Sequence, residues 1–111
     1  MYKEFSNINL TDLDNCKIVI ESPCDDNPHF HIIRDNINIG IYLYDSKYTN
    51  DTNYKLSNIQ KEELNKYLSI FNENYCADNW ISIITLWELE GNKSRLELNL
   101  EYKEPNYLEL N

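Results

Sequence analysis

The clearest structural signal in the chain is HFHIIRDNINIGIYLY, residues 29–44, in which two apolar runs flank the dipeptide Asp35-Asn36. In the second run the isoleucines and Leu43 fall on alternate positions and share one face, with Gly40 on the other. Aspartate and asparagine favour turns because their side chains bond to the nearby backbone. The stretch therefore predicts a β-hairpin with strands over His29–Arg34 and Ile37–Tyr44.

Two helices are expected after this hairpin. Ser57 and Gln60 have the spacing of a capping box, and an apolar stripe follows at helical intervals: Leu64, Tyr67, Leu68 and Phe71. A second helix is expected after Asp78 or Asn79 as N-cap, running to about Glu90 and stopped by Gly91. Its apolar stripe is Trp80, Ile83, Ile84 and Trp87. The isoleucine-rich run 81–84 also fits a buried strand, so both alternatives stay open here.

Two further strands flank these elements. Lys17–Glu21 is a short β-branched run that ends at Ser22-Pro23, and Arg95–Lys103 alternates strictly between apolar and polar residues. The order β-β-β-α-α-β predicts an α+β fold, with a single antiparallel sheet of about four strands and two helices packed on one face. A chain of 111 residues fits one domain over residues 1–111.

The charge of the chain is strongly acidic. Nineteen Asp and Glu face ten Lys and Arg, which gives a net charge of −9. Such a surface repels phosphate, so direct binding to nucleic acid or to an anionic membrane is not expected. No apolar run is long enough to span a bilayer, and no signal peptide is recognised. With three cysteines and no regular framework, the chain is expected to be cytoplasmic and to carry free thiols.

The densest group of potential metal ligands lies around the first hairpin strand. His29 and His31, two residues apart on a strand, would point to the same face about 6–7 Å apart. Cys24 and Cys76 could complete a tetrahedral zinc set of two sulfurs and two nitrogens. No cofactor is otherwise expected.

A simpler interpretation competes with the metal site. Both histidines could lie on a solvated or edge face, while Phe30 and Ile32 enter the core. A catalytic role for Cys24 is disfavoured, because neighbouring Asp25 and Asp26 would raise the pKa of its thiol.

The acidic residues could form a surface for a protein partner. Glu97 and Glu101 lie on the outer face of the last predicted strand, and tyrosines are favoured at interfaces. Clustered on one side, these charges would imitate a short stretch of duplex, whereas spread evenly they would be too dilute. The residues expected to bind a partner are Glu88, Glu90, Glu97, Glu101, Glu104, Tyr42 and Tyr44.

Part of the chain resembles a known type of protein. The run Pro28-His29-Phe30-His31, a following strand, a helix containing Lys61-Glu62-Glu63-Leu64 and the pair Asn79-Trp80 resemble an uncharacterised small prokaryotic family. The resemblance covers residues 27–87. Members of that family look like one half of a toxin–antitoxin-like gene pair, which implies that His29 and His31 are the residues to test.

Two functional hypotheses follow from the sequence. The first is an acidic binding protein, not an enzyme, that inhibits a basic partner such as a nuclease or toxin by occluding its nucleic-acid-binding surface. An anti-CRISPR-like inhibitor encoded by a phage or mobile element, an antitoxin and an immunity protein are all of this kind. The second hypothesis is a metal-dependent enzyme, or the toxin half of a two-gene module, centred on Cys24, Asp26, His29 and His31.

Overall fold

A computed structural model describes residues 2–21, 28–43, 45, 47–91 and 107–110. In chain order its elements are β1 (Tyr2–Leu10), β2 (Leu13–Glu21), β3 (His29–Arg34), β4 (Ile37–Tyr42), α1 (Asn58–Leu68), β5 (Phe71–Asn72), β6 (Ala77–Asp78), α2 (Asn79–Gly91) and a 3-10 turn (Tyr107–Glu109). The fold is α+β, as the sequence predicts. The strand expected over Arg95–Lys103 lies outside the described residues.

The main sheet is antiparallel and has the strand order β1-β2-β3-β4, while β5 and β6 form a separate two-stranded ribbon. Asp35 forms the β3–β4 turn with a positive φ of 50°, a conformation that aspartate tolerates. β1 and the first half of β2 are not predicted from the sequence. Register shifts between Glu4 and Ser6 and between Ile8 and Leu10 interrupt the alternation in β1, so its apolar residues do not recur at every second position.

The first helix begins as predicted but ends earlier than its apolar stripe implied. The Ser57 side chain accepts a hydrogen bond from the Gln60 backbone, and the Gln60 side chain accepts one from the Ser57 backbone. Leu64 and Leu68 are buried. The prediction that Phe71 continues the buried stripe is wrong, because α1 ends at Leu68 and Phe71 begins β5 with its side chain exposed.

The second helix is present, and it decides between the two alternatives for residues 81–84. Residues 81–84 are helical, so the buried-strand interpretation is wrong. Asp78 caps the helix, since its carboxylate accepts a hydrogen bond of 2.8 Å from the Ile81 backbone. All four residues of the predicted stripe are buried: Trp80, Ile83, Ile84 and Trp87.

The hydrophobic core lies between the helices and one face of the sheet. From β3 and β4 it takes the residues that alternate toward the helices: Phe30, Ile32, Ile39 and Ile41, each fully buried. The carbonyl of Leu43 ties two large aromatic residues to this layer, accepting hydrogen bonds from Trp80 Nε1 at 3.2 Å and from the Tyr107 hydroxyl at 3.1 Å. None of the helices in the described part of the chain is long and apolar enough to cross a membrane.

The opposite face of the sheet is partly covered by residues 47–53, called here the covering loop. This loop runs along the outer edge of β4. Its Thr49 backbone N–H donates to the Gly40 carbonyl, and its Asn53 backbone N–H donates to the Asn38 carbonyl, both at 2.9 Å. The loop therefore supplies hydrogen-bonding partners to a strand edge that would otherwise face solvent.

Candidate metal centre

The two histidines of the chain lie side by side on the face of β3 that is turned away from the helices. The strand register places His31 between Val19 of β2 and Gly40 of β4, and pairs His29 with Tyr42. The same register, continued along β2, brings Glu21 opposite His29. Alternation along two neighbouring strands thus directs three potential ligands to one face.

Both imidazoles are buried, with 6% of His29 and 3% of His31 exposed. The expectation that these residues lie on a solvated or edge face is therefore wrong, because the covering loop shields them. Gly40 makes this packing feasible. A Cβ atom at Gly40 would lie 2.0 Å from Thr49 Oγ1 and 2.9 Å from His31 Cε1, so only glycine lets the loop and the imidazole meet above β4.

The potential ligand atoms of Glu21, His29 and His31 are close together, and His31 and Glu21 are too far apart for a direct hydrogen bond. One ligand atom each from Glu21, His29 and His31 lies within 4.8 Å of the others. His31 Nε2 is 3.9 Å from Glu21 Oε2, which exceeds the roughly 2.7–2.9 Å of a charge-assisted hydrogen bond. A zinc ion bonded to both atoms at about 2.0–2.2 Å would hold them roughly 3–4 Å apart. The spacing thus fits a bridging metal ion better than a direct hydrogen bond.

The orientation of His31 is fixed by Asn38. The Asn38 amide nitrogen donates to the Asp51 carbonyl at 3.1 Å, so its amide oxygen faces His31 Nδ1 at 2.9 Å. Since that oxygen only accepts hydrogen bonds, Nδ1 of His31 carries the proton. The lone pair then lies on Nε2, the atom that faces Glu21. A histidine held in this way by an outer amide or carbonyl oxygen is typical of metal ligands.

The three residues line a cleft of about 220 Å³, together with Tyr42, Thr49, Asn50 and Asp51. The side chain of Glu21 is 48% exposed. The group formed by Glu21, His29 and His31 is therefore open to solvent on one side. Among the described lining residues there is no lysine or arginine. The Thr49 hydroxyl donates to the Asp51 carboxylate, and this hydrogen bond, with a smaller contribution from nearby His31, lowers the pKa of Asp51.

The structure brings together only some of the residues expected at a metal site. His29 and His31 are adjacent, whereas Cys76 lies exposed in the β5–β6 turn and is not part of the ligand group. Its thiol donates weakly to the Glu73 carbonyl at 3.8 Å. Cys24 and Asp26 lie outside the described residues.

The residues expected to bind a partner do not form one group among the described residues. Tyr42 is half-buried and contacts the ring of His29, with centroids 5.8 Å apart, so it belongs to the cleft. Glu88 and Glu90 lie in the last turn of α2, the first half-buried and the second exposed. The remaining members of that set lie outside the described residues: Tyr44, Glu97, Glu101 and Glu104.

Neither acidic residue of the cleft, Glu21 or Asp51, was predicted from the sequence as part of a site. Glu21 had a detectable signal, because it ends one predicted strand and His29 begins the next. If these strands form an antiparallel pair, the two residues lie opposite each other. Asp51 had no such signal, since it occupies a polar loop whose path depends on its contacts with β4.

Comparisons with protein-family models, with curated proteins and with solved structures give no match. The site is therefore interpreted from its own geometry.

Proposed function

We propose that the protein is a metal-dependent enzyme whose centre consists of Glu21, His29 and His31. The observation that carries this proposal is the grouping of three ligand atoms within 4.8 Å at the wall of an open cleft. Two of them come from buried imidazoles, and one of these imidazoles is oriented by an amide. The geometry supports this second hypothesis from the sequence better than the first.

The donor set indicates which metals the centre would hold. Two imidazole nitrogens and one carboxylate oxygen suit zinc, iron(II), cobalt(II) and related ions, and suit magnesium or calcium poorly. Three protein ligands leave at least one coordination position for water or substrate, as in catalytic zinc sites. A metal held there would polarise a substrate carbonyl or activate a bound water.

Metal content is the direct test. Protein purified without an affinity tag should contain, or take up, about one equivalent of zinc or cobalt, measured by elemental analysis and by calorimetric titration. His29→Ala, His31→Ala and Glu21→Ala should each weaken binding by more than the roughly 10–100-fold that loss of an outer hydrogen bond costs. Cys76→Ser is the matched control, because Cys76 lies outside the ligand group, and it should bind metal as the wild type does.

Two outcomes would contradict this proposal. If the wild type binds no metal, while His31→Ala only lowers the free energy of unfolding, then His31 and Glu21 form a simple ion pair. If Cys76→Ser abolishes binding, the ligand set is the two-sulfur, two-nitrogen arrangement considered from the sequence.

A second candidate function is inhibition of a basic protein partner, and one local observation favours it. The last turn of α2 carries Glu88 and Glu90 and no basic residue, although a helix C-terminus already bears partial negative charge. Between them Leu89 is 70% exposed. An acidic helix end with an apolar residue at its centre suits a basic surface that contains an apolar patch.

Charge reversal tests this second function. Wild-type protein should retain a basic protein from bacterial lysate, and added salt should release it. Glu88→Lys with Glu90→Lys should abolish retention, as should Lys at Glu97, Glu101 and Glu104. Glu62→Lys on α1 is the control for reversal of a surface charge away from these two regions. Retention of the same protein by all variants would argue against an acidic binding surface.

A further inference from the structure

The cleft contains a carboxylate that is not among the three ligand residues. Asp51 lines the same cleft as Glu21, His29 and His31, but its oxygens are not among the atoms grouped within 4.8 Å. A carboxylate that lines the cleft outside the ligand group suits contact with a ligand at the open position rather than with the metal itself. This inference rests on the metal centre proposed above.

Asp51 is held in a defined position relative to His31. Its backbone carbonyl accepts from the Asn38 amide, the same amide whose oxygen orients His31. Its carboxylate accepts a hydrogen bond from the Thr49 hydroxyl. Thr49 in turn donates through its backbone N–H to the Gly40 carbonyl at 2.9 Å. One set of hydrogen bonds thus fixes both the metal-facing imidazole and the second carboxylate.

The chemistry of the cleft restricts its ligand. An ionised Asp51 only accepts hydrogen bonds, so a ligand that satisfies it must carry a donor. The carboxylates of Glu21 and Asp51 balance a divalent ion, and no lysine or arginine occurs among the described lining residues. A phosphate or carboxylate ligand would therefore add uncompensated negative charge beside Asp51.

We propose that the centre takes ligands in which an N–H donor stands next to the metal-binding oxygen, as in a primary or secondary amide. The oxygen occupies the open position at the metal, and the N–H donates to Asp51. Asp51 is thus a specificity-determining residue, and amides are the substrate class that the cleft fits.

Two small probes isolate the contribution of the donor. Acetamide and N,N-dimethylacetamide offer the same neutral amide oxygen to the metal, but only the first has an N–H. Their affinities for the cobalt-loaded protein can be measured from the visible absorption of cobalt. The wild type should prefer the N–H probe by about tenfold or more, since hydrogen bonds to charged groups are the strong ones.

Variants of Asp51 separate hydrogen bonding from size. Asp51→Asn keeps the volume and removes the charge, so the preference should fall several-fold. Asp51→Ala should reduce the preference to about one. Glu62→Ala, which removes one carboxylate from α1, should leave it unchanged. Circular dichroism checks that each variant is folded.

The outcomes distinguish this inference from the proposal on which it rests. If cobalt binds with unchanged absorption in all variants and the preference is the same in wild type and Asp51→Asn, the role of Asp51 is wrong and the metal centre stands. If the wild type shows no cobalt absorption, the metal centre is wrong and this inference falls with it.

Discussion

Over residues 29–32, both faces of β3 are shielded from solvent, but by different means. Toward the helices, β3 presents Phe30 and Ile32, which are fully buried in an apolar layer. Toward the covering loop, the same strand presents His29 and His31, which are almost as buried and contact polar groups. One face gains stability from removing apolar surface from water. The other face buries polar groups, which costs free energy unless each group is hydrogen-bonded.

This difference indicates on which face of the sheet a chemical function should be tested. A core that only stabilises the fold needs apolar residues of suitable volume. Two buried imidazoles that line a cleft with the carboxylates of Glu21 and Asp51 contribute little stability that isoleucines could not provide more simply. The chemical role proposed above is accordingly assigned to the polar face, and four predictions test the contrast between the two faces.

The largest effect is expected from a matched pair of substitutions on β3. Ile32 and Ile33 are neighbours of the same residue type on opposite faces, the first fully buried and the second partly exposed. Ile32→Ala should lower the free energy of unfolding by about 2–5 kcal/mol, because it leaves a cavity in the core. Ile33→Ala should cost roughly 1 kcal/mol, since less of its surface is buried. Urea denaturation measures both, and equal losses would contradict the assignment of the core to the helix side.

A smaller effect is expected at Gly40, where the covering loop meets the sheet. The methyl group of Gly40→Ala would overlap Thr49 and press on the His31 ring. We expect the loop to be displaced, at a cost of about 1–3 kcal/mol in unfolding free energy, with weaker metal binding. Gly91→Ala is the control, because Gly91 lies in α2 without a positive φ. That substitution should stabilise the helix by up to about 1 kcal/mol. A Gly40→Ala protein with normal stability and metal affinity would show that the loop does not need this close approach.

The contrast between the faces also explains how much of the molecule could be predicted from its sequence. The helix-facing side could be predicted, because apolar periodicity identifies Ile39 and Ile41 in β4 and the Trp80–Trp87 stripe of α2. The polar face could be predicted only in part. The shared face of His29 and His31 follows from alternation within one strand, whereas the position of Glu21 beside them depends on the register between strands. Asp51 depends on the path of a loop, which no periodic pattern encodes.

A third prediction concerns Asn38, which orients His31 without contacting the proposed metal. Asn38→Ala removes the acceptor for His31 Nδ1 and the donor to the Asp51 carbonyl. Zinc affinity should fall about 10–100-fold, the usual cost of losing an outer hydrogen bond to a metal ligand. The control is Asn72→Ala in the β5–β6 ribbon, which removes a hydrogen bond to Asn79 at the start of α2. This variant should bind zinc normally. If both variants bind zinc equally well, His31 does not need Asn38 to hold its orientation.

The smallest effect is expected from the pH dependence of the covering loop. The Thr49 hydroxyl lowers the pKa of Asp51 below its ordinary value of 3.8. A carboxyl group with a lowered folded-state pKa stabilises the protein above the unfolded-state pKa and loses that contribution as pH falls through the folded-state value. The difference in unfolding free energy between wild type and Asp51→Asn should thus be constant near neutral pH and shrink below about pH 4. It should be small throughout, because Asp51 is exposed and solvent screens its charge.

Thr49→Val sharpens this last test, because it removes the hydroxyl donor and nearly keeps the side-chain shape. If Thr49 is the main cause of the lowered pKa, this variant should lose stability over the same pH range as Asp51→Asn. The double variant should then lose less than the sum of the two, because both substitutions break one interaction. Strict additivity at neutral pH would show that the two side chains act independently. The polar face would then be held by its backbone hydrogen bonds to β4, and Asp51 would owe its position to the Asn38 amide alone.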